Sequence, residues 1–547
     1  MISNSTSNSK LNVSEKGSPA STNLLFYPDQ ITHGVLNFRK TTSVVEDASG
    51  NIGIALGSPN ESSSNLSSAA CKVLATLPPL YPEWLGDRSF QETHRLRFPY
   101  VGGAMANGIT TTRMVIELSK AGMLGFFGAA GLPAEKVELA IDELHATLGP
   151  LGLPWGSNLI HSPIEPILEE RVADLYIRKG VRRVSASAYM QLSPSVVRYA
   201  CTGLHRNSEG QIQRTNFLFA KISRPETAEL FMSPAPKKIL ETLASKGLLT
   251  DEEVQLAQQV PLAEDVTVEA DSGGHTDRQA LSAIFPTIAL VRDRLVSKFN
   301  YAKPIRLGAA GGLGTPNSVA AAFSMGAAYV LTGTVNQACV ESGLHQSGRQ
   351  NLALAKTGDV GMTPASDMFE MGVKLQVLKK GTMYPSRAAK LYDIYTRYDS
   401  LDSVPESIKA QLEKDIFKTP LNQVWAETKE FWSKRDPGQI DKANCDSKHK
   451  MALVFRSYLG LSSRWAIVGD KKRVLDYQIW CGPAIASFNQ WTEDSFLSDY
   501  QNRTVVQVAL NLLEGAAACV RAFQFRTYGV PVSAAAFDYR PRALTLT

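Results

Sequence analysis

Residues 303–334 read KPIRLGAAGGLGTPNSVAAAFSMGAAYVLTGT. A short β-prone run comes first, a glycine-rich turn follows it, a helical stretch begins at Thr315-Pro316, and a second β-prone run ends at Gly333. This order predicts a strand–helix–strand unit with parallel strands. Residues 98–128 repeat the plan, because Phe98-Pro-Tyr-Val-Gly-Gly precedes a helical stretch and then Met123-Leu-Gly-Phe-Phe-Gly.

The same alternation recurs outward from these two segments. Eight β-prone runs are separated by helical stretches, and eight such units in about 240 residues are the size of a (β/α)8 barrel. We therefore predict an α/β fold of the TIM barrel type, with an open doubly wound sheet as the alternative. The predicted strands are Phe98–Gly102, Met123–Phe127, Trp155–Ile160, Val181–Ala186, Asn216–Ile222, Asp265–Ala270, Pro304–Gly308 and Ala328–Thr332.

An excess of about 40 residues separates the fifth and sixth predicted strands, which is more than a crossover helix needs. We predict a helical hairpin insertion there, at about 225–264, with helices over Ala235–Lys246 and Val254–Val260. Thr250 stands three residues before Glu253, the spacing of a capping box at a helix start.

The chain has 547 residues, more than one ordinary domain. We divide it into a loose tail and small lead-in region over 1–90, the barrel over 91–345, and a large, mainly helical region over 346–547. That last region holds five of the seven tryptophans, which indicates a packed structure and not a tail. Within it, Val505–Phe523 has the apolar spacing of a buried helix.

Composition excludes several classes of protein. The net charge of +5 is too small for this length to indicate nucleic-acid binding. No apolar run reaches the roughly 18 residues of a membrane helix, and no signal peptide is visible, so we expect no membrane span. The six cysteines are widely spaced, which favours a reducing, cytoplasmic location.

Several catalytic signatures are absent. The sequence has no HExxH motif and no Cys/His cluster at zinc spacing, so we predict no metal site. It has no GxxxxGK[ST] phosphate loop and no GxSxG nucleophile motif either. Cys339 has no evident basic partner, so we interpret it as a small buried residue.

Glycines follow the seventh and eighth predicted strands. Ala310, Gly311 and Gly312 lie in the first loop, and Gly333 and Thr334 in the second. In barrels these two loops commonly hold a phosphate, with help from a helix N-terminus. Turn formation is the alternative for either loop alone, but the pair in the two expected places favours an anion site.

The loop after the sixth predicted strand reads Asp271-Ser-Gly-Gly-His-Thr-Asp277. Gly273 and Gly274 allow the backbone to approach a flat ring, and His275 can donate or accept a proton near neutral pH. A hydrogen-bonded loop histidine is the alternative. His161 follows the third strand and could reach the same pocket, but a structural role is favoured for it.

Two further candidates lie on the first and third strands. Gly103, Ala104 and Met105 form a turn that can lay backbone and a thioether against an aromatic ring. Asn158 lies near a strand end, where an amide can hydrogen-bond the edge of a heterocycle. Core packing for the former and turn formation for the latter remain open.

As an ordered set, these motifs resemble a known superfamily. Gly102-Gly-Ala-Met, Gly156-Ser-Asn-Leu, Asp271-Ser-Gly-Gly-His and Ala309-Ala-Gly-Gly with Thr332-Gly-Thr resemble the flavin mononucleotide (FMN) barrels of the nitronate monooxygenase, or 2-nitropropane dioxygenase-like, superfamily. That superfamily also contains flavin-type bacterial enoyl-acyl carrier protein reductases. The resemblance covers roughly residues 95–345.

The C-terminal region is similar to a narrower group. Leu459-Gly-Leu-Ser-Ser-Arg-Trp and Asp476-Tyr-Gln-Ile-Trp-Cys-Gly-Pro-Ala resemble PfaD-type proteins. These are stand-alone enoyl reductase subunits of bacterial polyunsaturated fatty acid synthases, with relatives that serve polyketide synthases. With these motifs, the resemblance extends to about residue 530.

The resemblance implies a residue-by-residue site. FMN phosphate would lie on Gly311, Gly312, Gly333 and Thr334, and the isoalloxazine against Gly103, Ala104 and Met105 with Asn158 at its polar edge. His275 matches the active-site histidine. The superfamily usually reads Glu-Ala-Gly-Gly-His where this chain has Asp271-Ser272, so the carboxylate is kept but its side chain is shorter.

The implied reaction is the reduction of a 2-enoyl thioester on an acyl carrier protein. NAD(P)H would reduce FMN, and flavin N5 would pass hydride to the β-carbon of the substrate. A nitronate monooxygenase-like oxidase and a non-catalytic scaffold subunit of a synthase are the alternatives.

Partners would be acyl carrier domains, other synthase subunits or a second copy of the chain. Basic runs at Lys434-Arg435, Lys448–Lys450 and Lys471–Arg473 offer candidate contacts for an acidic carrier, although a solvated face is their default interpretation.

Overall fold

A computed structural model of the protein describes residues 24–57, 71–161, 166–274 and 276–546. Residues 1–23, within the predicted tail and lead-in region, and the predicted catalytic residue His275 lie outside these ranges. The described residues up to Leu80 form one compact unit with Val520–Asp538. Tyr81–Cys519 forms the second unit with the residues from Tyr539 onward.

The second unit contains a closed barrel of eight parallel strands, so the TIM barrel prediction is confirmed and the open sheet was wrong. Closure occurs between the last strand and the first, where Val330 lies opposite Tyr100. Each strand begins and ends within two residues of its predicted bounds. The strands are Tyr100–Gly102, Leu124–Phe127, Gly156–Ile160, Arg183–Ser187, Phe217–Ile222, Asp265–Glu269, Arg306–Ala310 and Tyr329–Thr332.

Helices separate the strands as the sequence pattern predicts. Seven of them connect consecutive barrel strands, and one of these, Pro225–Met232, packs against the fifth and sixth strands. The connecting helices are Thr112–Lys120, Ala134–Leu148, Pro166–Lys179, Pro194–Cys201, Pro225–Met232, Leu281–Phe299 and Pro316–Ser324, followed by the short Thr334–Gln337.

The N-terminal end of the barrel is filled by the helix Arg88–His94. The ring of Phe90 stacks on Tyr329 with centroids 4.3 Å apart. His94 Nε2 lies 2.9 Å from Asp265 Oδ2, and Arg306 donates two hydrogen bonds to the same carboxylate at 2.7 and 2.8 Å. Because this end is packed and charge-paired, a ligand has to enter at the opposite end, where the strands terminate.

The insertion between the fifth and sixth strands is a helical hairpin of Lys237–Ser245 and Asp251–Ala257. The capping box predicted at its second helix is confirmed. Thr250 Oγ1 accepts a hydrogen bond of 3.2 Å from Glu253 N, and Glu253 Oε2 accepts one of 2.8 Å from Thr250 N.

The region after the barrel is mainly helical, as predicted, with one antiparallel hairpin of Val360–Pro364 and Lys374–Leu378. Its core lies around the long helix Ser447–Val468, against which Tyr384 and Phe417 pack. The other helices are Gln346–Ala353, Tyr384–Arg397, Glu406–Leu412, Leu421–Arg435, Gly438–Cys445, Ala484–Thr492 and Val505–Thr527. The helix Val505–Thr527 is long and apolar enough to span a membrane, but 83% of its most apolar 18-residue stretch is buried inside the protein.

The first unit contains a four-stranded sheet of Leu24–Leu25, Thr42–Glu46, Ile52–Leu56 and Lys72–Leu77, and the helix Pro28–Val35. Arg521, which is buried, donates a hydrogen bond to the carbonyl oxygen of Phe38 at 3.4 Å and another to Pro78 in this unit. None of the six cysteines, all of which are among the described residues, forms a disulfide bond.

Candidate active site

A cavity of about 2490 Å³ opens at the C-terminal ends of the barrel strands. All twelve residues predicted to bind a cofactor line it, although they come from five different strand ends. They are Gly103, Ala104, Met105, Asn158, Asp271, Gly273, Gly274, Ala310, Gly311, Gly312, Gly333 and Thr334. The fold therefore brings the predicted set together in one place.

The glycines after the seventh and eighth strands form an open cradle. Gly311 and Gly312 have φ angles of +89° and +71°, which only glycine adopts readily. A Cβ on Gly312 or on Gly333 would meet no atom of the described residues within 4 Å, whereas one on Gly311 would lie 2.7 Å from Ala270 C. The backbone is thus bare toward the cavity at Gly312 and Gly333, as close approach to an anion requires.

Gln337 belongs to the same wall and was missed in the sequence analysis. It lines the cavity and is only 3% exposed, and its Nε2 finds no hydrogen-bond partner among the described residues. A buried unpartnered amide is unfavourable in the absence of a ligand. Its position three residues after Thr334, in a loop already predicted to bind phosphate, was the available signal.

The turn after the first strand is held by Thr110. Its Oγ1 donates a hydrogen bond to Gly103 O at 2.9 Å and accepts one from Met105 N at 2.8 Å. Gly103 N in turn donates to Thr332 O on the eighth strand. These bonds fix the backbone of the turn, so Ala104 and Met105 form a rigid part of the cavity wall.

Asn158 is engaged mainly by the protein itself. Its Oδ1 accepts a hydrogen bond of 3.0 Å from Ala130 N, and its Nδ2 donates to Ser187 Oγ at 3.2 Å. The amide therefore ties three strand ends together, and one N–H of Nδ2 remains for a molecule in the cavity.

The C-terminal region contacts the loop after the sixth strand and holds it in place. Gln376 Nε2 donates a hydrogen bond of 2.6 Å to Asp271 Oδ1. A Cβ on Gly273 would lie 3.0–3.2 Å from the backbone of Cys481, and Gly482 N donates to Thr334 Oγ1 at 3.1 Å. The hairpin that carries Gln376 and the segment 481–482 therefore form part of the wall of the predicted cofactor site.

A charged pair that the sequence analysis missed lies beside this loop. Lys221 Nζ, at the end of the fifth strand, lies 2.9 Å from Glu269 Oε1 at the end of the sixth. Ser272 Oγ donates to the same carboxylate oxygen at 3.0 Å. Both charged residues line the cavity. Their positions at barrel strand ends could have marked them as candidates.

His161 is held by the protein and also lines the cavity. Its Nδ1 lies 2.9 Å from Oε2 of the buried Glu169, and its ring stacks on Tyr189 with centroids 4.9 Å apart. These contacts fit the structural role that was favoured for it.

Cys339 is fully buried, and burial raises the pKa of its thiol well above the ordinary value. Among the described residues, no group of three or more His, Cys, Asp or Glu side chains could hold a metal ion.

Comparison with known proteins shows the family to which this barrel belongs. A family model described as nitronate monooxygenase matches residues 89–396. The chain belongs to the nitronate monooxygenase family. The chain is also similar to the crystal structure of the enoyl reductase domain of MlnA, from the macrolactin biosynthesis cluster of Bacillus amyloliquefaciens. The TM-score is 0.77 at 37% identity, covering 81% of this chain and 99% of that one.

Two relatives of the chain are named as proteins of polyunsaturated fatty acid or polyketide biosynthesis. One of the polyunsaturated fatty acid synthase subunits of Thraustochytrium sp. is 47% identical over 467 residues, which are 84% of this chain and 31% of the relative. Polyketide biosynthesis protein PksE of Bacillus subtilis is 42% identical over 431 residues, 79% of this chain and 56% of that protein. The chain thus spans about a third to just over half of these relatives. The resemblance to PfaD-type proteins is confirmed.

A second family model matches residues 398–477, within the helical region. It is described as the inserted helical domain of [acyl-carrier-protein] S-malonyltransferase. The matched residues include the whole of the helix Ser447–Val468, several of whose side chains line the cavity.

Proposed function

We propose that the protein is an FMN-dependent, NAD(P)H-consuming enoyl reductase. Its substrates would be 2-enoyl thioesters on acyl carrier protein domains in polyunsaturated fatty acid or polyketide synthesis. The observation that carries the proposal is one cavity lined by all twelve motif residues, in a chain similar to the enoyl reductase domain of MlnA over 99% of that domain.

The cavity wall fits a flavin mononucleotide. Gly311, Gly312, Gly333 and Thr334 would hold the phosphate. Gln337 Nε2, which has no hydrogen-bond partner among the described residues, adds a polar group to that wall. The rigid turn of Gly103, Ala104 and Met105 would support the flat ring, with Asn158, Asp271, Gly273, Gly274 and Ala310 completing the wall. When bound, FMN supplies hydride transfer between a nicotinamide and an activated double bond.

The chain's own residues would supply orientation, charge and a proton. Hydride arrival at the β-carbon leaves negative charge on the α-carbon and the thioester oxygen, so a positioned acid is needed. We propose His275 for that role. Lys221 would place a positive charge in the wall, because its ion pair with Glu269 keeps the ammonium at the strand ends.

The three basic runs differ in their suitability for carrier contact. Lys434 and Arg435 line the cavity. Arg473 also lines the cavity, but its guanidinium donates to the carbonyl oxygens of Ile416 and Phe417. Lys448 donates to the carbonyl oxygens of Tyr395 and Tyr398, so both side chains stabilise the fold. We therefore propose Lys434-Arg435 as the carrier contact. Other synthase subunits or a second copy of the chain are further proposed partners, and the cytoplasm is the proposed location.

An anaerobic assay tests the reductase proposal. The purified protein, reconstituted with FMN and reduced by one equivalent of NADPH or NADH, is mixed with a 2-enoyl thioester without oxygen. We expect stoichiometric reoxidation of the flavin and formation of the saturated thioester. Reoxidation by oxygen with a nitronate, but not by the enoyl thioester, would favour the oxidase alternative, and failure to bind any flavin would favour the scaffold.

A further inference from the structure

The cavity has a second, apolar wall, which includes none of the residues proposed to bind the cofactor. Six large apolar side chains that are 40–70% exposed line it: Ile167, Met190, Met371, Phe431, Leu461 and Val468. Isolated exposed apolar residues are normal on a protein surface, but a group of them in one concave surface marks a binding site.

The two sides of this wall come from different parts of the second unit. Ile167 and Met190 follow the third and fourth barrel strands, whereas Met371 lies in the hairpin turn and Phe431 on the helix Leu421–Arg435. Leu461 and Val468 are seven residues apart on the helix Ser447–Val468, and therefore lie on one face of it. The helical region thus supplies most of the apolar surface.

Cavity size and continuity identify the kind of occupant. Typical sites for one small ligand measure about 300–1000 Å³. This cavity, at about 2490 Å³, has room for a flavin and a second long molecule. Because the apolar wall and the glycine cradle belong to the same cavity, the second molecule can lie on the wall and still reach the cradle. A hydrocarbon chain joined to a reacting group meets both requirements.

We propose that this wall is a hydrocarbon subsite, which binds the acyl chain of the thioester beyond its double bond and makes the protein selective for long chains. The inference rests on the proposed enoyl reductase function. The two methionines suit chains of different shape, because the thioether side chain is flexible and polarisable. Each methylene buried on the wall contributes about 0.8 kcal/mol, or about fourfold in affinity.

A chain-length series tests the subsite on the FMN-loaded, full-length protein. 2-Enoyl pantetheine thioesters of four to sixteen carbons are compared for the wild type, for Leu461→Gln/Val468→Gln and for Met371→Gln. We expect kcat/KM of the wild type to rise with chain length, and the variants to lose tenfold or more with the dodecenoyl substrate while the butenoyl substrate is unaffected. Leu139→Gln/Leu290→Gln is the matched control, since both residues are 71% exposed and lie outside the cavity lining.

A binding measurement separates this inference from the proposed function. Saturated dodecanoyl and butanoyl pantetheine are titrated calorimetrically into the same proteins, which requires no turnover. Tighter binding of the dodecanoyl ligand, lost in the variants, supports the subsite even if no enoyl thioester is reduced. An unchanged dependence on chain length in the variants overturns it. Weakened binding of an acyl-free carrier protein with unchanged chain-length dependence also overturns it, in favour of a protein-docking surface.

Discussion

Gln376 donates a hydrogen bond of 2.6 Å from Nε2 to Asp271 Oδ1. The amide lies on a hairpin more than 100 residues after the loop that it holds, and this loop carries Gly273 and Gly274 and leads into the proposed catalytic residue His275. Asp271 is also where the sequence departs from the superfamily pattern of Glu-Ala-Gly-Gly-His. The C-terminal region is therefore part of the candidate site, and not only a cover over it.

Removal of that amide is expected to weaken cofactor binding. In Gln376→Ala the Asp271 carboxylate loses a donor, so the loop is less well fixed. A hydrogen bond to a charged group contributes about 1.5–3 kcal/mol, which corresponds to roughly a tenfold or greater rise in the dissociation constant of FMN. Fluorescence titration measures this dissociation constant. Gln258→Ala, at an exposed residue directly after the helix Asp251–Ala257, is the control, and equal affinity in both variants would contradict the inferred role.

Gly333→Ala is expected to separate cofactor binding from folding. The φ of Gly333 is −124°, and a Cβ there meets no atom within 4 Å in the part of the chain that the structure describes, so we expect the fold to accept alanine. That Cβ would occupy the space proposed for the phosphate. We expect a melting temperature within about 2 °C of wild type and a large loss of FMN affinity. Gly358→Ala, also uncrowded but outside the cavity lining, should change neither quantity.

His275→Ala is expected to affect one half of the reaction. General acid catalysis contributes about 10²–10⁴-fold, so reoxidation of the reduced flavin by a 2-enoyl thioester should slow by that factor. Flavin content and reduction by NADPH should stay near wild type, because neither step needs the proton. Stopped-flow absorbance of the two half-reactions measures both. An unchanged oxidative half-reaction would remove His275 from the mechanism.

Asp265 is expected to make the barrel acid-sensitive. Burial alone would raise its pKa, but His94 and Arg306 hold that pKa below the ordinary value. A carboxylate with a lowered pKa in the folded state stabilises the fold above its unfolded pKa of about 4, and that contribution is lost as the pH falls through the folded pKa. Thermal melts should therefore show stability declining progressively as the pH drops below about 4.

Asp265→Asn tests the same network at neutral pH. It leaves the Arg306 guanidinium buried without its charged partner, and breaking a buried pair in this way costs about 3–5 kcal/mol of unfolding free energy. The loss of stability on acidification should also be smaller in the variant. Glu92→Gln, in an exposed pair with Arg88, is the control and should change stability by less than about 1 kcal/mol.

The sequence by itself determined the barrel and most of its cofactor wall. The strands are short apolar runs bounded by glycines and separated by amphipathic helices, and these local patterns are visible without tertiary information. Because parallel strands in a closed barrel all end at one face, knowing the strand ends was sufficient to bring Gly103, Asn158, Asp271, Gly311 and Gly333 together.

Only the tertiary structure decided which distant segments complete that wall. The contact of Gln376 with Asp271, the Lys221–Glu269 pair and the apolar face of Leu461 and Val468 depend on how side chains pack across elements far apart in the chain. The assembly of Val520–Asp538 with the N-terminal residues into one unit is of the same kind. A hydrogen-bonding or apolar side chain can meet many partners, so residue type and spacing do not specify which one the fold places beside it.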